Sequence, residues 1–176
     1  MRNTHISLLM VFAFLLMTPA INAQSNGYET FETNDFSIHY PAGWSVGDKK
    51  AGVLAYFLSP LESAKDEFSE NINIMTQDLS EHPMTLKEYT DLSLKQIQTL
   101  ATHGKLIESK TIQTANGEAQ RLVYKADNGK FHLQFMQLYI VKKEKVYLIT
   151  YTAETKNYKK YLPKVSDAMN SFVLKQ

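Results

Sequence analysis

The sequence predicts an α+β domain built on an antiparallel sheet whose two faces are both covered. Three observations point there. Extended segments at 106–114, 118–126, 130–141 and 145–153 follow one another through short turns, which makes an antiparallel meander. The last two are apolar on both faces, whereas a sheet with one wet face would alternate cleanly. Two helical patterns occur, at 85–102 and at 158–172, and the second can cover one face.

The first strands are short. Residues 28–33 read as a strand and Asn34-Asp35 as a turn. In 36–40, Phe36, Ile38 and Tyr40 alternate with Ser37 and His39, the period of a half-buried strand. Pro41 stops it by fixing φ and removing a donor. Tyr40-Pro41-Ala42-Gly43 suits a type I turn, with Pro second and Gly fourth, and the chain's single Trp, Trp44, follows. A loop at 47–50 precedes an apolar strand at 53–58, ended by Ser59-Pro60. Residues 61–70 are polar and acid-rich and read as a surface loop. Residues 71–77 alternate again, with Ile72 and Ile74 on one side.

The clearest helix starts at Thr85. Thr85 and Glu88 have capping-box spacing, and Met84 and Tyr89 occupy the positions of a hydrophobic staple. Leu86, Tyr89, Ser93, Ile97 and Leu100 share a face. Gly104 suits the left-handed residue that closes such a helix. Asn116-Gly117 and Asn128-Gly129 are hairpin signals of the kind that places both turn residues at positive φ. A third tight connection falls at Lys143-Glu144. In the last helix, Tyr158, Tyr161, Leu162, Val165, Met169 and Phe172 keep helical spacing, while Pro163 is expected to kink it or to mark the first turn of its main part.

Residues 1–23 read as a secretory signal: Arg2, an apolar run from Ile6 to Met17, the break Thr18-Pro19, and the small-residue site Ile21-Asn22-Ala23. About twelve apolar residues are too few for a bilayer, which needs roughly twenty. The expected mature chain, 24–176, is one domain that is large enough for a real core. It balances 18 basic against 18 acidic residues, which argues against nucleic acid as a main partner. The chain has no Cys, so packing alone must hold an exported domain, and a lipoprotein anchor, a thiolate metal site and a Cys nucleophile are excluded. The expected location is secreted or periplasmic.

The segment 31–44 with its Pro-Ala-Gly-Trp turn, Asn71-Ile-Asn-Ile74, the helix with Leu86 and Tyr89, the strand 145–153 and the closing Ser171-Phe172 resemble, in this order, the PsbP-like superfamily, including its periplasmic DcrB-like members. The resemblance covers nearly all of the mature chain and implies an α/β/α sandwich around a twisted antiparallel sheet. Members of that superfamily serve as a photosystem subunit, a Ran-binding factor, envelope lipoproteins and effector chaperones. The implied common theme is binding to another protein, carried over only as an analogy of fold. This chain departs from the DcrB-like lipoproteins in lacking the acylated Cys.

Chemical motifs are sparse. His39, His82, His103 and His132 show neither the i, i+4 spacing of a helical metal site nor the i, i+2 spacing of a strand site; His39 and His132 could meet only through the fold. Glu62, Asp66, Glu67 and Glu70 make an acidic loop without the pattern or central Gly of an EF-hand, so a solvated loop is expected. Ser93 fits no Ser-x-x-Lys nucleophile motif, and no Gly-x-Ser-x-Gly elbow or phosphate loop occurs. No catalytic residue, metal or cofactor is therefore expected. Lys156, Lys160 and Lys164 line the last helix, and Lys142, Lys143 and Lys145 crowd a hairpin tip. Each set reads first as a solvated face, and either could meet an anionic surface or an acidic protein. The expected function is a non-catalytic exported binding or accessory protein of the cell envelope. The alternative is a small-molecule or metal-ion carrier with a pocket between the sheet and the helix at 85–102.

Overall fold

A computed structural model describes residues 27–48 and 52–175. The predicted signal segment with its Ala23 site, and residues 49–50 of the predicted loop, lie outside the described residues. The elements run β1 (Tyr28–Glu32), β2 (Phe36–Pro41), β3 (Ser45–Val46), β4 (Val53–Leu58), β5 (Asn71–Asp78), α1 (Leu86–Thr99), β6 (Lys105–Thr114), β7 (Gly117–Asn128), β8 (Phe131–Lys142), β9 (Lys145–Glu154), α2 (Tyr158–Asn170) and β10 (Val173–Leu174).

Strands β3-β4-β5-β9-β8-β7-β6 form a seven-stranded sheet, and β1-β2-β10 form a smaller one; every pairing is antiparallel. The expected meander is the half of the large sheet from β9 to β6. Period-2 alternation sorts its side chains onto two faces. Met136, Leu138, Ile140, Ile149 and Tyr151 join one core with Ile72, Ile74, Phe57, the small sheet and Val165, Ala168 and Met169 of α2. Leu122, Tyr139 and Val146 join the other with Tyr89 and Ile97 of α1. Each helix thus covers one face, giving the predicted sandwich.

Aromatic rings connect the two sheets. Tyr40 stacks on Phe57 at 4.6 Å between centroids, and Phe31 meets Phe57 edge-on at 5.5 Å. Trp44 is buried with its edge to Tyr161 of α2. Burial pushes the Tyr124 hydroxyl up to about 12, and those of Tyr139 and Tyr151 higher still. The Tyr139 hydroxyl donates to Gln137 Oε1 and that of Tyr151 to the Tyr158 carbonyl, so both stay neutral and partnered.

The capping box forms as expected, with Thr85 Oγ1 accepting from the Glu88 amide and the Glu88 carboxylate from the Thr85 amide. Local geometry departs from the sequence reading in four places. The turn after β2 is Pro41–Trp44, closed by the Trp44 amide on the Pro41 carbonyl at 3.1 Å. Gly43 at its third position has φ +84°, which is the type II arrangement, one residue on from the expected type I. Helix α1 ends at Thr99, which leaves Leu100 76% exposed beyond its end. His103, not Gly104, takes the left-handed conformation. Gly104 is required for a different reason, since a Cβ there would lie 2.1 Å from the Ile97 carbonyl oxygen. Finally, the Asn-Gly hairpins place only the glycines, Gly117 and Gly129, at positive φ. Gly129 is the first residue of the two-residue connection between Asn128 and Phe131, a type II′ pattern. Helix α2 runs continuously through Pro163.

Candidate functional site

A concavity of about 830 Å3 opens where hairpin tips and the tail gather. One wall is the β8–β9 tip, Lys142 to Lys145. The others are the β6–β7 turn with Asn116, Asp78 at the end of β5 with Ser80 after it, and the tail at Leu174 and Lys175; Asp35 and Tyr147 also line it. Asn116 builds much of this shape. Its amide Nδ2 donates to the Phe172 carbonyl at 2.8 Å, and its Oδ1 accepts from the Leu174 amide at 2.7 Å. The side chain so acts as one more pairing residue for the tail. Lys175 finishes the tie, its amide donating to the Asp35 carbonyl at 2.8 Å and its ammonium to Glu32 Oε1 at 2.7 Å.

The lysine tip has unusual local chemistry. Lys142 and Lys145 are direct cross-strand partners, a like-charge pairing that weakens a hairpin. Lys143 between them has φ +55°, a conformation that disfavours a side chain. Among the described residues, Lys142, Lys143 and Lys145 form no ion pair, and all three are exposed. Asp78 is held below the usual carboxylate range, chiefly by the Ser80 amide at 2.8 Å and only slightly by Lys145. The opposite holds at α2, which begins at Tyr158, so that Lys156, expected on the helix, lies in the turn before it. Lys156 pairs with Glu154 at 2.9 Å and Lys160 with Glu62 at 2.7 Å, so two of the three lysines in that stripe are neutralised locally.

The predicted histidines separate. His39 contacts Thr30 at 3.0 Å and not His132. Instead, His132 and His103 grip the two oxygens of Asp127, each through Nδ1 at 2.7 Å. A carboxylate only accepts, so both Nδ1 atoms carry the proton. These two bonds hold the Asp127 carboxyl below its ordinary range. Nothing in the sequence spacing 103, 127, 132 announces this clasp. Among the described residues no cluster of His, Asp and Glu is arranged to hold a metal ion.

The acidic loop also divides. Glu62 and Asp66 are surface groups held low by bonds from Lys160 and from the Glu62 amide respectively. Glu67 pairs with Lys130. Glu70, expected in a solvated loop, is fully buried, accepting from Asn157 Nδ2 at 3.0 Å and Ser59 Oγ at 3.3 Å, and burial raises its pKa. The seams between sheet and helices offer less room. The α2 seam holds about 20 Å3, and beside α1 an open space of about 300 Å3 lies between Thr90 and Leu94 on the helix and Ser109, Thr111 and Gln120 on the sheet.

The geometry has counterparts among solved structures. PA94, a Pseudomonas aeruginosa protein of unknown function, superposes with a TM-score of 0.63 at 17% identity, covering 85% of this chain and 98% of its own. Cyanobacterial PsbP (CyanoP) from Synechocystis sp. PCC 6803 gives 0.61 at 16% identity, covering 90% and 99%. LpqN of Mycobacterium tuberculosis, involved in cell envelope biogenesis, gives 0.61 at 7% identity, covering 85% and 91%. At such identities the likeness is one of fold. Among the described residues no helix is long and apolar enough to cross a membrane. No curated protein sequence matches the chain. The model of PsbP-like proteins matches residues 19–174, and the chain belongs to that family.

Proposed function

We propose that this protein is an exported, non-catalytic binding domain of the cell envelope that receives an acidic segment of a partner protein in the groove beside the Lys142–Lys145 tip. The observation that carries this reading is the tip itself. Two lysines face each other across the hairpin, a third sits at positive φ, and none forms an ion pair among the described residues, Asp78 lying opposite Lys145 on β5 without one. An arrangement that weakens its own hairpin is favoured when a ligand supplies the missing negative charge. The groove is also of a size that takes a peptide segment or a small ligand. The PsbP-like fold and the likeness to an envelope protein, LpqN, support the location by analogy only. A carrier using the helix–sheet seam has less support, because those seams are filled or open and polar.

The decisive variant is Lys142→Glu. It places opposite charges across the hairpin, so it should leave the fold as stable or slightly more stable while removing the acidic partner. A photoreactive residue at Ala115 in the groove, used in envelope preparations, should cross-link a discrete acidic protein in the wild type and lose it in Lys142→Glu. Identical cross-links in both, or turnover of a substrate by the purified protein, would overturn the reading.

A further inference from the structure

The large sheet ends in two unequal edges. One is β3, two residues long; the other is β6, ten residues long. A long edge exposes a row of backbone donors and acceptors, and proteins commonly cover it. Here most β6 side chains are exposed, and the space of about 300 Å3 between α1 and the sheet leaves Ser109 and Thr111 uncovered on that face.

We infer that β6 pairs with β6 of a second copy of this chain, making one continuous sheet across a two-fold axis at Ser109. Among registers centred on the charged middle of the strand, 108 to 110, the side chains favour that one. In an antiparallel pairing about a two-fold axis normal to the sheet, opposite residues share a face and their numbers sum to a fixed even value. Centring on Glu108 would oppose Glu108 to its copy, and centring on Lys110 would oppose two lysines; both are like-charge pairings. Centring on Ser109 opposes Glu108 to Lys110 twice, and each Glu108 also accepts from Arg121 of its own chain at 2.7 Å. The result is a ladder of alternating charge, Arg121, Glu108 and the second copy's Lys110, on each side of the axis. Beyond it, Ile112 of each chain approaches the bulge at Ile107 of the other, where Leu106 and Ile107 are exposed at 36% and 50%. Bulges and edge lysines normally discourage edge pairing. In this register, each is met by a complementary group.

The test is sedimentation of the purified chain over a concentration series, with Lys110→Glu, Glu108→Lys and an equimolar mixture of the two. The wild type should form a reversible dimer. Each single reversal should weaken self-association about tenfold or more, since two symmetry-related attractions become repulsions. The mixture should recover a dimer, because the two acidic side chains of the Lys110→Glu variant then face the two basic side chains of the Glu108→Lys variant. Near-UV circular dichroism reports that each variant is folded. A monomer at every concentration, a dimer indifferent to both reversals, or a mixture that stays monomeric would each overturn the inference. So would β6 amides that gain protection only in envelope extract, which would assign the edge to a foreign strand.

Discussion

Glu70 accepts a hydrogen bond from Asn157 Nδ2 at 3.0 Å, tying the residue before β5 to the start of α2 across 87 positions of sequence. Ser59 donates to the other carboxylate oxygen. The carboxyl is fully enclosed, and desolvation outweighs these bonds in raising its pKa. The linkage then has a definite sign. Below the unfolded pKa of about 4.3 both states hold the proton. As pH rises through that value the unfolded chain ionises first, so stability falls until folded Glu70 ionises too, and it stays lower above. Glu70→Gln keeps an acceptor and a polar partner without the charge. It is expected to raise Tm at pH 7 by about 2–4 °C, the scale of roughly 1 kcal/mol in a domain of this size, with the advantage vanishing near pH 3. Thermal melts across that range check it.

Gly104 is set by contact, not by its own φ. An added methyl would meet the Ile97 carbonyl at 2.1 Å and Ala101 Cβ at 3.0 Å. The obstacle is largely helix backbone, which cannot swing aside as a flexible side chain would. Gly104→Ala is therefore expected to destabilise the fold by about 1–3 kcal/mol, the scale of an overpacked site. Urea titration at constant m-value measures it.

Asp127 anchors the α1–β6 connection to the turn end of the β7–β8 hairpin. His103 and His132 hold its side chain, and its amide donates to the Thr102 carbonyl at 2.9 Å. Its carboxyl pKa is lowered, so its contribution to stability is present above the unfolded value near 3.9 and is lost as pH falls through the lower folded value. Asp127→Asn keeps an acceptor but gives up the charge and one oxygen. Faster amide exchange at Ala101 to Gly104 is expected in the variant at neutral pH, together with a flatter acid limb of the stability curve below about pH 4. Hydrogen exchange followed by NMR reads the first, and chemical denaturation at stepped pH the second.

Legibility in the sequence follows interaction range. Helix α1 could be placed because Thr85 and Glu88 are three residues apart, and the meander because its glycines punctuate adjacent strands. Apolar alternation gave both covered faces. What escaped was the choice between neighbours: Gly43 serves a turn one residue later, and His103 takes the conformation that Gly104 was expected to adopt. Strands β3 and β10, two residues each, are too short for any period. The lysine tip was visible as composition, but its groove was not. Asn116 meets the tail 56 and 58 positions away, and no local pattern encodes that meeting.

Asn116 therefore offers a test of how the groove is built. Its two tail bonds use opposite ends of one amide, donor to Phe172 and acceptor from Leu174. Asn116→Asp preserves the acceptor but turns the donor into a second acceptor facing the Phe172 carbonyl. Asn116→Ala removes both ends and leaves two backbone groups to water. Each lost bond is worth about 1 kcal/mol net, and juxtaposed acceptors add repulsion. Asn116→Asp is thus expected to loosen β10 at least as much as Asn116→Ala, although it is the closer isostere. The Val173 and Leu174 amides should exchange faster in both variants, while amides of β8 and β9 keep their protection, because the seven-stranded sheet does not depend on the tail for its pairing. Equal exchange rates at β10 in wild type and both variants would mean that pairing with β2 alone holds the tail.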